Sequence, residues 1–196
     1  MKTVRIVAWL LVACVSGFLA YSWLGGSTEI RKMAGATVGG PFEMARTDGT
    51  PFGDKQIVGK PHLIFFGFTH CPEVCPTTLF EASGWLEKLG ADADRVAIYF
   101  VSVDPERDTA DVLDEYVKAF DPRITALTGS VEQVEVIKKA YKVFARKVPL
   151  DDGDYTIDHT ATVYLMHGDG TFSGTIAWGE DAETALAKIR RLIENG

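Results

Sequence analysis

The stretch HLIFFGFTHCPEVCPTTL, His62–Leu79, contains the features that decide the fold. Its first part, His62–Phe68, is nearly all apolar, which is typical of a β-strand buried on both faces. A proline follows each cysteine, and apolar residues recur at helical spacing after Cys75, which together predict the start of a helix. Cys71 and Cys75 therefore lie where a buried strand passes into a helix, a position that favours chemistry over a purely structural role.

Outward from this junction, apolar patterns alternate between strands and helices, which predicts an α/β domain. The predicted fold class is a thioredoxin-like, three-layer α/β/α domain with an N-terminal hairpin and one inserted strand–helix unit. The periodicity alone does not distinguish this fold from other α/β folds. The position of the cysteines is the main reason for choosing it. The predicted strands are a hairpin in PFEMARTDGTPF, then Arg95–Val103, RITALTG, DYTIDH, ATVYLM and TFSGTIAW. The predicted helices follow Cys75 and lie in DTADVLDEYVKAF, at Val131–Phe144 and in DAETALAKIRRLIEN, with Asp181 as the cap of the last.

The N-terminal segment has the composition of a membrane anchor. Lys2 and Arg5 precede an uncharged apolar run, Ile6–Leu24, that is long enough to cross a hydrocarbon core of roughly 30 Å at about 1.5 Å per residue. Basic residues before the run predict a cytoplasmic N-terminus and export of the remainder. We expect a single-pass protein of the bacterial inner membrane, with an anchor at 1–24, a linker at 25–38 and a periplasmic domain at 39–196.

Two alternatives for this segment remain open. A signal peptide could be cleaved, although the apolar run exceeds the usual central region of about 7–15 residues. The sequence LVAC, Leu11–Cys14, resembles a bacterial lipobox that would place a lipid on Cys14, although the apolar run continues well beyond that residue.

Composition excludes some classes of function. The net charge is −7 and the chain has no Lys/Arg-rich run, which argues against a nucleic-acid-binding protein. An exported domain lies where thiols can be oxidised. Because Cys14 belongs to the anchor, only Cys71 and Cys75 remain in that domain, so it is not held by a disulfide framework.

The spacing of Cys71 and Cys75 permits both redox and metal chemistry. A helix N-terminus stabilises thiolates and lowers their pKa, which raises reactivity and metal affinity. If both residues are helical, they share one face with Cα atoms about 6 Å apart. They could then form a disulfide when oxidised and chelate one ion when reduced. A disulfide that only ties off the loop is the alternative, but closing so short a loop stabilises little.

Four histidines are candidates for a third ligand. His62 begins the first core strand at the end opposite to the cysteines, His70 is expected to point away from them, and His167 is expected to be exposed in a hairpin turn. His159 directly precedes a core strand, and in a thioredoxin-like fold that loop faces the cysteine-bearing helix start. We therefore favour His159, with Asp158 either orienting its imidazole or serving as a turn residue.

Two thiolates and one imidazole form a soft ligand set of low coordination number. Thiolates bind Cu(I) well, and a set of two cysteines and one histidine also suits Cu(II) with a further weak ligand. Structural zinc prefers four protein ligands. The ligand set therefore favours one copper ion, as Cu(I) or Cu(II), over zinc.

Three stretches resemble the Sco/SenC family of membrane-anchored copper-binding proteins that serve cytochrome c oxidase assembly. They are GFTHCPEVCPTTL, SVDPERDT at Ser102–Thr109 and DYTIDHTATVYL, and their order and separations agree with the family over essentially the whole chain. Glu73 stands where aspartate is more usual in the family, a conservative departure.

The resemblance implies the fold, the ligands and the partner together. It implies a thioredoxin-like domain, with Cys71, Cys75 and His159 as the copper ligands. The implied partner is subunit II of cytochrome c oxidase, whose dinuclear copper centre the family helps to metallate. An upstream copper donor and a thiol reductant are further expected partners, and nucleic acid is not.

The SVDPERDT stretch also has an ordinary structural interpretation. Asp104-Pro105 favours a turn, Asp108 or Thr109 can cap the following helix, and Arg107 can pair with a neighbouring carboxylate. The functional alternative is that this loop follows the C-terminal end of a strand and therefore borders the metal site.

Several functions remain compatible with the sequence. The preferred one is a copper chaperone, not an enzyme, and the alternative is a thiol–disulfide reductase in which Cys71 and Cys75 form a redox-active pair and Cys71 attacks. A redox or copper sensor could use the same site. A thiol peroxidase is disfavoured because Phe68 and Pro72 stand where such enzymes carry Ser or Thr before the reactive cysteine. His159 discriminates between the first two, since copper retention needs it and dithiol exchange does not.

Overall fold

The structure is a computed structural model that describes residues 38–151 and 153–196, together with Trp9, Val15 and Ser16. Met1–Ala36 and Thr37–Gly196 form separate units. The predicted anchor and linker lie almost entirely outside the described residues and remain predictions. Among the described residues, no helix has the length and apolar character needed to cross a membrane.

The described residues contain a series of strands and helices close to that predicted. The strands are β1 (Glu43–Arg46), β2 (Pro51–Gly53), β3 (His62–Gly67), β4 (Ala97–Ser102), β5 (Ile124–Thr128), β6 (Ala145–Pro149), β7 (Tyr155–His159), β8 (Thr162–Met166) and β9 (Phe172–Ala177). The helices are a single turn, α1 (Asp54–Ile57), then α2 (Val74–Leu89), α3 (Ala110–Lys118), α4 (Val131–Tyr141) and α5 (Ala182–Asn195), with a 3₁₀ segment at Gly90–Arg95.

Seven strands form one mixed sheet in the order β2-β1-β5-β4-β3-β8-β9. Strands β3, β4 and β5 are parallel, whereas β8 pairs antiparallel with β3 and β9 antiparallel with β8. The arrangement β4-β3-β8-β9 is that of a thioredoxin-like core. The N-terminal hairpin pairs with β5, which is the strand that the inserted unit adds beside β4.

Helices cover both faces of this sheet because successive residues of a strand point to opposite faces. On β3, Phe65 packs against Phe100, which packs in turn against Tyr116 of α3, while Phe66 packs against Tyr141 of α4. All six residues of β3 are buried, as its apolar run predicts. The predicted three-layer α/β architecture is therefore confirmed for the described domain.

Both predicted helix caps agree with the sequence, and for one of them the structure decides between the two candidates. Asp181 caps α5 by accepting a hydrogen bond from the backbone N–H of Thr184. Thr109, not Asp108, caps α3 and accepts from the N–H of Val112. Asp108 is unavailable because its carboxylate is fully buried and bonded elsewhere.

A two-stranded ribbon, β6–β7, is separate from the main sheet. Strand β7 lies in DYTIDH, which was predicted as a strand, whereas β6 was not predicted. The stretch forming β6, ARKVP, is mostly exposed and lacks the apolar alternation by which strands are recognised. It also follows a helical pattern that predicts a helix to Phe144. That helix ends at Tyr141, because Lys142 adopts a left-handed conformation with φ 58°.

Candidate metal centre

The two cysteines lie at the junction between β3 and α2. Cys75 is the second residue of α2 and is fully buried, whereas Cys71 lies in the preceding loop and is 9% exposed. Cys71 is therefore not helical, so the two cysteines do not share one face of a helix as they would if both were helical. The loop nevertheless folds back, so that the N–H of Cys75 donates to the sulfur of Cys71 over 3.4 Å. Both residues are free thiols.

Gly67 makes room for the buried sulfur of Cys75. A Cβ atom placed on Gly67 would lie 2.7 Å from Cys75 Sγ and 2.8 Å from Cε2 of Phe100. Both neighbours belong to fully buried side chains. The last residue of the buried strand must therefore lack a side chain for the thiol to occupy its position.

His159 completes the cluster, as predicted from its place before a core strand. Its Nε2 lies 3.5 Å from Cys75 Sγ, and one ligand atom from each of Cys71, Cys75 and His159 lies within 4.8 Å of the others. The Nδ1 atom lies 3.1 Å from the carbonyl oxygen of Thr160. Because a carbonyl only accepts, Nδ1 carries the proton and donates, which leaves the Nε2 lone pair directed at the sulfur atoms.

An aromatic wall fixes the plane of this imidazole. The ring of Phe68 lies 5.7 Å from that of His159 at 87°, and the ring of Phe65 lies 6.2 Å from it at 65°. Edge-to-face contacts of this kind are favourable and directional. Phe65 and Phe68 read as ordinary core residues in the sequence, so only the topology identifies them as part of the site.

The other histidines are not part of the cluster. His62 is fully buried at the opposite end of β3, and His70 is exposed with Nδ1 against the hydroxyl of Thr69, both as expected. His167 directly follows β8 at the predicted turn, and it is half-buried there, not exposed as expected. Asp158 does not orient His159: its carboxylate accepts from Arg146, and the carbonyl of Thr160 takes the orienting role.

The two thiols differ in their electrostatics. The hydrogen bond with Cys75 lowers the pKa of Cys71 well below that of a free thiol; burial opposes this, and the N–H groups of Cys75 and Glu73 add to it. The same bond and full burial raise the pKa of Cys75. The copper-free pair therefore holds one thiolate, on Cys71, and one proton, on Cys75.

This asymmetry predicts unequal alkylation of the reduced, copper-free protein. At about pH 6, where an ordinary thiol is largely protonated, iodoacetamide should modify Cys71 first, because Cys71 carries the thiolate and is the more exposed of the two. Mass spectrometry of the cysteine-containing peptide over time measures the order of modification. Free cysteine in the same solution serves as the reference, and earlier modification of Cys75 would contradict the assignment.

The SVDPERDT loop borders the cluster through buried hydrogen bonds. The carboxylate of Asp108 accepts from the hydroxyl of Ser102 over 2.6 Å, from the hydroxyl of Thr69 over 2.6 Å and from the N–H of Thr69. Thr69 lies two residues before Cys71, so this network holds the loop that carries the first thiol. Arg107 pairs with Asp104, as the structural interpretation predicts.

The cluster opens to solvent through a shallow depression of about 470 Å³. Its lining includes Cys71, Pro72, Phe144, Asp158 and His159. Phe144 is 56% exposed at its rim. Cys71 and His159 can therefore be reached by a small ion or by a second protein without unfolding of the domain.

Comparison with known proteins places this arrangement in context. The sequence model of the SCO1/SenC family matches residues 31–194. A solved structure described as ScoI from Bradyrhizobium japonicum with copper bound is similar, with a TM-score of 0.74 and 47% identity, over 79% of this chain and 99% of that one.

Two curated relatives are mitochondrial proteins. The chain is 40% identical over 139 residues to protein SCO1 homolog 1 of Arabidopsis thaliana, and 38% identical over 169 residues to protein SCO2 of Saccharomyces cerevisiae. These alignments cover 70% and 84% of this chain. They span only 41% and 56% of the relatives' own length.

Proposed function

The chain belongs to the SCO1/SenC family, and we propose that it is a copper chaperone that binds one copper ion through Cys71, Cys75 and His159. The observation that carries the proposal is the convergence of two sulfur atoms and one imidazole nitrogen within 4.8 Å, beneath an opening to solvent. A similar protein, ScoI of Bradyrhizobium japonicum, has a structure with copper bound.

The donor atoms suit copper as a cargo. Two sulfurs and an imidazole nitrogen provide soft ligands for Cu(I), and the same set accepts Cu(II) with a weak further ligand. The proton of the His159 ring lies on Nδ1, which donates to the carbonyl oxygen of Thr160, so Nε2 can bind a metal without losing a proton. Only Cys75 must release a proton on metal binding, because Cys71 is already the thiolate.

We further propose that the acceptor is the dinuclear copper centre of subunit II of cytochrome c oxidase. The proposal rests on family membership and on the position of Cys71 and His159 in the lining of the surface depression, which an acceptor's ligands could approach. The basic residues before the apolar run support a single-pass anchor in a bacterial inner membrane, with the copper domain in the periplasm. An upstream copper donor would load the site there.

The second candidate function is a thiol–disulfide reductase that keeps the acceptor's cysteines reduced. The specific observation in its favour is the pair of free thiols with a thiolate on Cys71. A thiolate at a partly open site can attack a disulfide, and Cys75 would then resolve the mixed disulfide. This reaction makes no use of the Nε2 lone pair of His159.

His159→Ala separates the two functions. The copper-loaded variant should lose copper to a competing chelator and form little or no dinuclear centre when mixed with the copper-free, reduced soluble domain of subunit II. The copper-free, reduced variant should still reduce the disulfide form of that domain at close to the wild-type rate. The absorption of the dinuclear centre and thiol labelling of the acceptor measure the two reactions.

His70→Ala is the matched control, because His70 adjoins Cys71 but is exposed and outside the ligand cluster. It should behave as wild type in both assays. Undiminished copper transfer by His159→Ala would refute its role as a ligand. Failure of the wild-type chain to form the dinuclear centre, together with rapid disulfide reduction, would favour the reductase over the chaperone.

A further inference from the structure

The position of His159 depends on a ribbon that the main sheet does not hold. Strands β6 and β7 pair only with each other among the described residues. His159 is the last residue of β7 and lies opposite Ala145, while Tyr155 lies opposite Pro149 at the other end. An isolated two-stranded ribbon is marginally stable in water. Contacts outside the ribbon must therefore keep the imidazole over the two cysteines.

The end of the ribbon next to His159 is tied to its own connecting segments. The N–H of Thr160 donates to the carbonyl of Phe144 over 3.0 Å, and the N–H of Phe144 donates to the hydroxyl of Thr160 over 3.0 Å. Ile157 is buried in the core. These contacts leave the far end, at Tyr155, to be held by another element.

Arg107 holds that far end. Its Nη1 donates to the carbonyl of Tyr155 over 2.8 Å, and its guanidinium carbon lies 3.7 Å from the centre of the Tyr155 ring. Its Nε donates to Asp104 over 2.6 Å, and the hydroxyl of Tyr155 donates to the other oxygen of the same carboxylate over 2.8 Å. Asp104 is fully buried and the Arg107 side chain is 16% exposed, so solvent weakens these contacts little.

The same guanidinium also reaches the aromatic wall of the metal centre. Its carbon lies 5.9 Å from the centre of the Phe68 ring, and that ring contacts His159 edge to face. Arg107 thus touches both the strand that carries His159 and the ring that orients its imidazole. Its Nε and Nη1 atoms donate to Asp104, Asp154 and Tyr155, not to the thiols.

We propose that Arg107 is a positioning residue for His159. By binding Tyr155 and packing against Phe68, it holds the imidazole at the distance that two cysteines and one copper ion require. This inference rests on the proposed copper site. It predicts that Arg107 affects copper only through His159, whereas a residue that merely stabilises the fold would affect every ligand alike.

A double-mutant cycle tests this dependence. In the full chain with Cys14→Ser, so that Cys71 and Cys75 are the only thiols, Arg107→Ala should weaken Cu(II) binding about tenfold, as loss of an outer contact to a metal ligand commonly does. In a His159→Ala background the same change should alter the affinity less than about twofold, because its target is already absent. Competition with a chelator measures all four affinities, and equal effects in both backgrounds would overturn the proposal.

Arg123→Ala is the matched control. Arg123 also forms an ion pair with an aspartate, Asp121. It directly precedes β5 and so lies at the N-terminal end of the parallel strands, whereas the cysteines follow their C-terminal end. It should leave copper affinity unchanged. Arg107→Lys, which keeps the charge but loses the planar fork, should reproduce part of the effect of Arg107→Ala without a gross loss of fold.

The copper-free protein provides a readout that does not depend on the proposed function. The ring protons of His159 should show NMR shifts displaced by the rings of Phe65 and Phe68, and Arg107→Ala should move them towards values for a free imidazole. Unchanged shifts would overturn the positioning role even if the wild-type chain bound copper. Changed shifts in a chain that failed to bind copper would uphold the positioning role and reject the copper site.

Discussion

Replacing Cys75 with serine is expected to abolish stoichiometric copper binding, with an affinity loss of more than about 100-fold, because a hydroxyl cannot replace a thiolate as a soft ligand. Cys71→Ser should do the same. Serine is nearly isosteric with cysteine, so the buried position of Cys75 should still be filled and the domain should remain folded. Copper retained after gel filtration, measured per chain by atomic absorption, gives the result.

Cys14→Ser is the matched control for these variants, since Cys14 is the third cysteine of the chain. It should retain one copper per chain. Thermal unfolding of each variant without copper separates loss of the ligand from loss of the fold. A folded Cys75→Ser chain that still held one tightly bound copper would remove Cys75 from the ligand set.

Gly67→Ala is expected to have the second large effect, acting on the fold and the metal centre together. The added methyl group would fall 2.7 Å from Cys75 Sγ and 2.8 Å from Phe100, both in the packed core. Overpacking of this kind commonly costs about 1–3 kcal/mol. Because the Sγ atom of Cys75 is one of those displaced, copper affinity should also fall about tenfold. Chemical denaturation and chelator competition measure the two effects.

Gly84→Ala offers a control with the opposite sign. Gly84 lies inside α2, and a Cβ atom there meets no neighbour within 4 Å. Alanine is favoured over glycine in a helix interior by about 1 kcal/mol, so this variant should be more stable than wild type, with unchanged copper affinity. A Gly67→Ala protein as stable as Gly84→Ala would show that the space beside Cys75 is not restrictive.

The parts of the fold that could be predicted from the sequence are those with a strong pattern. The apolar run of β3 and the proline-flanked helix start of α2 fix the strand–helix junction, and with it the place of Cys71 and Cys75. The choice of His159 over the other histidines followed from topology, since the loop entering an antiparallel neighbour of β3 must face that junction. The structure brings these three residues together.

The remainder could not be predicted because it depends on contacts distant in sequence. The β6–β7 ribbon has little buried apolar surface, so its strand β6 carries no periodic signal. Asp108 resembles a helix cap until the fold places Thr69 and Ser102 against its carboxylate. Asp158 is next to His159 in sequence, yet neighbouring residues of a strand point to opposite sides, so its carboxylate faces Arg146 instead.

The central claim, that Cys71, Cys75 and His159 bind one copper ion together, is tested most directly by X-ray absorption at the copper edge. The loaded chain should show two sulfur scatterers and at least one imidazole nitrogen per copper, with one copper per chain. His159→Ala should lose the imidazole signal and keep both sulfurs. A copper environment without two sulfurs, or an imidazole signal that survives in His159→Ala, would contradict the account.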